Sequence, residues 1–106
     1  MSIFDRREQA FEDRFAHDED IEFRALCRRN RLLGLWVAER LGLSDDDAAA
    51  YAQSIVFVNF EHPGTDIFGL VRHDLDKAGI KIPDSEIRLT MQNLLLKTRD
   101  DIRSGK

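Results

Sequence analysis

The sequence predicts an all-α protein: a small four-helix bundle preceded by a mobile or extended N-terminal helical arm. Three observations carry this. No proline occurs before Pro63 and no glycine before Gly34, so the first third of the chain holds mainly long, helix-favouring side chains. Apolar residues recur at helical spacing in separate segments. Those segments are divided by short glycine- or proline-bearing turns, and none alternates apolar with polar residues as a half-buried strand would. With 106 residues, 42% of them hydrophobic, the chain has the size and composition of one domain with a modest core.

The first long helix carries Leu26, Leu33, Trp36 and Val37 on one stripe, with Arg28, Arg29 and Asn30 on other faces. Gly42, able to take a left-handed conformation, should close it. Ser44 is the expected N-cap of the second helix, and Asp45, Asp46 and Asp47 complement its dipole. The run Ile55-Val56-Phe57-Val58-Asn59-Phe60 suits strand as well as helix by propensity. It is assigned to the helix because no other segment could pair with it as a strand. Glu61-His62-Pro63-Gly64 reads as a turn. Thr65 or Asp66 should cap the third helix, whose stripe is Phe68, Val71, Leu75 and Ala78, ending at Gly79. Pro83 biases Ile82 away from helix, and Asp84 is the expected cap of the fourth. There Ile87, Met91, Leu94, Leu95, Thr98 and Ile102 form the cleanest stripe in the chain.

Charge divides the N-terminal half. Asp5 to Glu22 carries a net −5 and Arg24 to Arg40 a net +4, within a chain of net −4. Residues 1–20 are therefore read as an arm and 21–106 as the bundle, with Ala16 to Asp20 as the joint. On the arm Phe4, Phe11 and Phe15 fall at i, i+7 and i+11, among Asp5, Arg6, Arg7, Glu8, Glu12, Asp13 and Arg14. Burying a few rings does not plainly offset the backbone entropy of ordering so many residues, so this helix gains from a receiving surface. Anchoring rings on one face of a marginal helix fit helix-in-groove recognition of another protein; packing back onto the bundle is the alternative.

Other chemistries find little support. Cys27, His17, His62 and His73 stand singly, without the paired spacing of a zinc site. The aspartates after Ser44 lack the glycine and closing glutamate of a calcium loop. No phosphate-cradling loop occurs, and no nucleophile, base and orienting group assemble. The reading is a non-enzyme with no cofactor and no metal. Arg24, Arg28, Arg29 and Arg31 make the one basic cluster, without interleaved aromatics, so nucleic acid is not expected as a partner. One cysteine allows no intramolecular disulfide, the N-terminus lacks the apolar core of a signal peptide, and the longest apolar run is far short of a membrane span. The expected compartment is the cytoplasm.

The stretch from Phe4 to Glu19, then Arg28-Arg29-Asn30-Arg31-Leu32-Leu33-Gly34-Leu35-Trp36, Ala38-Glu39, Gly42-Leu43-Ser44 and Glu86-Ile87-Arg88, resembles the zeta-subunit inhibitors of the alphaproteobacterial F-type ATP synthase over nearly the whole chain. The resemblance implies a four-helix protein whose mobile N-terminal segment, about Ser2 to His17, folds as a helix on entering the catalytic head and blocks ATP hydrolysis. It implies Phe4, Phe11 and Phe15 as anchors and Arg6, Arg7 and Arg14 as charge partners. Arg28 and Arg29 would brace the first helix. The implied partners are the alpha, beta and gamma subunits of the head, at the cytoplasmic face of the inner membrane, met by a protein that is a monomer when free. A non-regulatory assembly or structural accessory protein is the rival reading, and a small-ligand sensor a third.

Overall fold

The computed structural model describes the backbone from Ile3 to Lys106 and the side chains from His17 onward. Its elements are α1 (Ile3–Arg40), α2 (Asp45–Glu61), α3 (Ile67–Lys77) and α4 (Asp84–Arg103), and no strand occurs among the described residues. The all-α four-helix bundle is as expected.

The helix ends are local chemistry. At the end of α1, Gly42 adopts φ +79, Gly42 N–H donates to Glu39 O at 3.2 Å and Leu43 N–H to Ala38 O at 3.0 Å. This double closure satisfies carbonyls that the helix leaves open, and it needs a residue without a Cβ penalty. The α3 helix closes in the same way at Gly79, with Ile80 N–H donating to Leu75 O at 2.9 Å.

At the N-termini the expected cap positions hold for α2 and α3 but not for α4. Ser44 occupies the N-cap of α2 with extended backbone, yet its hydroxyl makes no capping bond; its carbonyl accepts from Asp47 and Ala48 N–H instead. Asp66, rather than Thr65, caps α3, its Oδ1 accepting from Gly69 N–H at 3.1 Å. The N-cap of α4 is Pro83 and not Asp84: Pro83 is extended and Asp84 is already helical, its Oδ1 lying 3.2 Å from the Arg72 guanidinium, which also donates to Ile82 O. Arg72 thus holds the α3–α4 connection. The α3 stripe begins one position earlier than expected: Ile67, Val71 and Leu75 are buried, while Ala78 lies past the last turn and is exposed.

The core gathers Leu33, Val37, Ile55, Ile67, Val71, Leu75 and Ile87, with Trp36, Phe68, Met91 and Leu94 packed around it. Residues 55–60 are helical; Ile55 turns inward and Phe57 and Phe60 outward. Both α2 and α4 pack mainly on α1. Against α4 the direction is antiparallel, since Glu22 meets Arg99 while Ile87, at the other end, joins the cluster of Leu33 and Val37. Tyr51 of α2 donates to Asp74 Oδ2 of α3 at 2.7 Å; burial and the neighbouring carboxylate push its phenol up. One residue expected on a polar face of α1 is inside: Asn30 is fully buried, and its Nδ2 has no partner among the described residues. The sequence spacing missed it because α1 is covered on more than one flank.

The tightest approach is between α1 and α2 at Gly34. A Cβ there would stand 2.6 Å from Ala52 Cα, a backbone atom that cannot turn aside. Gly34→Ala should therefore cost about 1–3 kcal/mol despite the better helix propensity of alanine. For a domain of this size that is a fall in Tm of roughly 4–8 °C per kcal/mol. A thermal melt followed by circular dichroism checks this; an unchanged Tm would mean the helices do not approach so closely.

Candidate functional site

The segment expected to bind a partner leads into α1, which begins at Ile3. The side chains of Phe4, Arg6, Arg7, Phe11, Arg14 and Phe15 lie outside the described residues. The described part starts with His17, Asp18, Glu19 and Asp20, all exposed, in unbroken helix. Asp20 pairs with Arg24 at 3.2 Å on the same helix surface, an exposed i,i+4 pair of small energetic weight. Ile21 is the first buried residue among those described, at 7% exposure, followed by Ala25.

Here α1 is tied to the end of α4. The Arg99 guanidinium donates twice to the Glu22 carboxylate, from Nε to Oε2 at 2.8 Å and from a terminal nitrogen to Oε1 at 2.6 Å. One turn along α1, Thr98 Oγ1 stands 3.1 Å from Ala25 O and 3.0 Å from Leu95 O, so its proton is shared between two helices. The Arg99 hydrogen bond holds the Glu22 carboxyl below its ordinary value of 4.5 against a weaker opposing effect of burial, and Arg103 and Arg29 add to the pull. Reciprocally, Glu22 raises Arg99.

The basic cluster seen in the sequence is divided by the fold. Arg24 stays in its surface pair. Arg29 is half-buried and donates from Nε to Asn30 Oδ1 at 2.9 Å. Burial, and then Arg99, push its guanidinium down. Arg28 and Arg31 are exposed and line a groove of about 480 Å³ between α1 and α4 with Leu32, Lys97, Thr98 and Asp101. Arg28 and Arg29, expected to brace α1 together, therefore point to different surroundings. Lys97 and Arg99 were not singled out from the sequence. Their signal was a basic residue on either side of Thr98 in the apolar stripe, which says nothing about what α1 would set opposite them.

Among the described residues no group of three or more His, Cys, Asp or Glu side chains could hold a metal ion. No described helix is long and apolar enough to cross a membrane. Cys27 is a free, half-buried thiol.

These features define a class: small four-helix proteins whose longest helix is clamped near its middle and continues beyond the clamp. Within that class, the family model described as ATPase inhibitor subunit zeta matches residues 1–101, and the chain belongs to that family. Among solved structures it is similar to a chain determined by solution NMR, 38% identical with a TM-score of 0.66, which covers 81% of this chain and 99% of its own length. No curated protein matches significantly.

The ion pair has a pH signature. A carboxyl whose folded-state pKa lies below its unfolded value stabilises the fold above the unfolded value, and this is lost as pH falls through the folded one. Acidification from neutrality to below 4.5 should destabilise the wild type more than Glu22→Gln. Chemical denaturation at a series of pH values measures the difference; parallel curves would remove Glu22 from the acid response.

Proposed function

We propose that this protein inhibits ATP hydrolysis by the catalytic head of the F-type ATP synthase by placing its N-terminal helical segment, residues 2–17, between catalytic subunits. Membership of the ATPase inhibitor subunit zeta family supports the target, since the match begins at the first residue and so includes this segment. The observation that carries the mode of action is the layout of α1. The helix begins at Ile3, but the first buried residue among those described is Ile21, and the preceding His17 to Asp20 are exposed.

In this reading Phe4, Phe11 and Phe15 are the anchors, being three rings at one helical stripe. Arg6, Arg7 and Arg14 pair with carboxylates of the receiving subunits. The wedge stalls rotation by occupying space between the alpha and beta subunits that must change shape in each catalytic step, with the gamma subunit adjoining. Arg28, exposed on α1, meets the rim of the head; Arg29 contributes from its half-buried position by steadying the helix. The bundle remains outside and limits the depth of entry, so the protein associates with the cytoplasmic face of the inner membrane only through the synthase. It acts by binding and needs no catalytic chemistry or cofactor of its own.

Hydrolysis by the isolated head should fall on addition of the full chain and stay unaffected by a truncation lacking residues 2–17. Phe11→Ala should raise the inhibitory concentration about ten-fold or more, as expected for an anchor worth over 1 kcal/mol. Undiminished hydrolysis with the full chain would refute the target, and equal potency of the truncation would refute the wedge.

A further inference from the structure

We infer that the Glu22–Arg99 fork, backed by Thr98 at Ala25, is a positioning clamp that sets the direction in which the inhibitory segment leaves the bundle. The inference rests on the function proposed above and adds residues that do not themselves enter the partner.

Passing along α1 towards its N-terminus, the clamp is the last place where a described side chain bonds to another helix. Beyond it, His17 to Asp20 are exposed, and the one ion pair among the described residues there, Asp20 with Arg24, lies within α1 itself. The geometry of the tie is directional. A guanidinium giving two parallel bonds to one carboxylate fixes an angle as well as a distance, which a lysine ammonium at the same point would not. The Thr98 hydroxyl, between Ala25 O and Leu95 O, sets the axial position of α1 against α4 one turn away. Arg29 and Arg103 strengthen the hold on the carboxylate.

A clamp of this kind contributes little to global stability, because both partners are roughly a third or more exposed. Its leverage is geometric. Neither glycine nor proline interrupts the chain between Ile3 and Leu33. A helix of the length from Phe4 to Glu22 measures about 27 Å at 1.5 Å per residue. A tilt of about 10° at its root therefore displaces its tip by about 5 Å, close to one helical turn. An anchor ring displaced that far misses its pocket. Direction at the root is thus set in the free protein, and the segment that folds against the partner extends a helix already aimed.

The test uses full-length Arg99→Lys, Glu22→Gln and the exchanged pair Glu22→Arg with Arg99→Glu. Each is first shown by thermal melt and amide dispersion to keep the fold. Residual dipolar couplings of amides 17–24 and of α4 report the angle between the two helices without the partner. In the wild type the two sets should fit one common alignment frame. In the single variants amides 17–24 should require a tilted frame or show reduced couplings; the exchanged pair, whose new cation at position 22 faces Arg29 and Arg103, should move only part of the way back to the common frame. Inhibition of the isolated head should weaken ten-fold or more in the single variants and recover in part in the exchanged pair. A common frame persisting in both single variants overturns the clamp, and so does wild-type potency in them. If the wild type itself fails to inhibit, the functional reading falls, and the couplings still decide whether the clamp exists.

Discussion

The architecture depends on α1 being a wall for two neighbours at once. The α2 helix approaches it so closely at Gly34 that Ala52 leaves no room for a Cβ, and α4 lies along another flank from Glu22 to the cluster around Leu33 and Val37. Close approach of two backbones maximises dispersion contacts between small residues, while the flanking Leu, Ile and Val side chains remove apolar area from water. The α3 helix then completes the core through Ile67, Val71 and Leu75. Among the described residues, the buried positions of this wall run along α1 from Ile21 to Ala38.

Electrostatics has two different roles along this helix. On the bundle side, charges are arranged for geometry. The Glu22 carboxylate sits among Arg99, Arg103 and Arg29, and Arg72 binds Asp76, Asp84 and the Ile82 carbonyl to set the α3–α4 turn. On the leading side, His17 to Asp20 stand in water without ties to another helix.

Much of the fold was legible in the residues. The four helices, their order and their stops at Gly42, Pro63-Gly64 and Gly79 follow from apolar spacing and backbone preference, and the ambiguous run from Ile55 to Phe60 proved helical. Ser44 takes its expected cap position with an unbonded hydroxyl, whereas Asp84 lies one place inside α4, where its carboxylate meets Arg72 from another helix. Asn30 looked polar and therefore outward. It is inside because α2 and α4 together cover more of α1 than a single stripe.

By itself, the sequence determined the helical class, the helix count, the turns and the family, because hydrogen bonds three to five residues long and backbone preferences are settled within each segment. Only the tertiary structure decided which charges would cooperate. It set Lys97 beside Arg28 and Arg31, turned Arg29 towards Asn30, and brought Arg99 to Glu22 across 77 positions of chain. The physical reason is that the register of α4 on α1 is chosen by burial of apolar faces. The charged residues then take the partners which that register places opposite them.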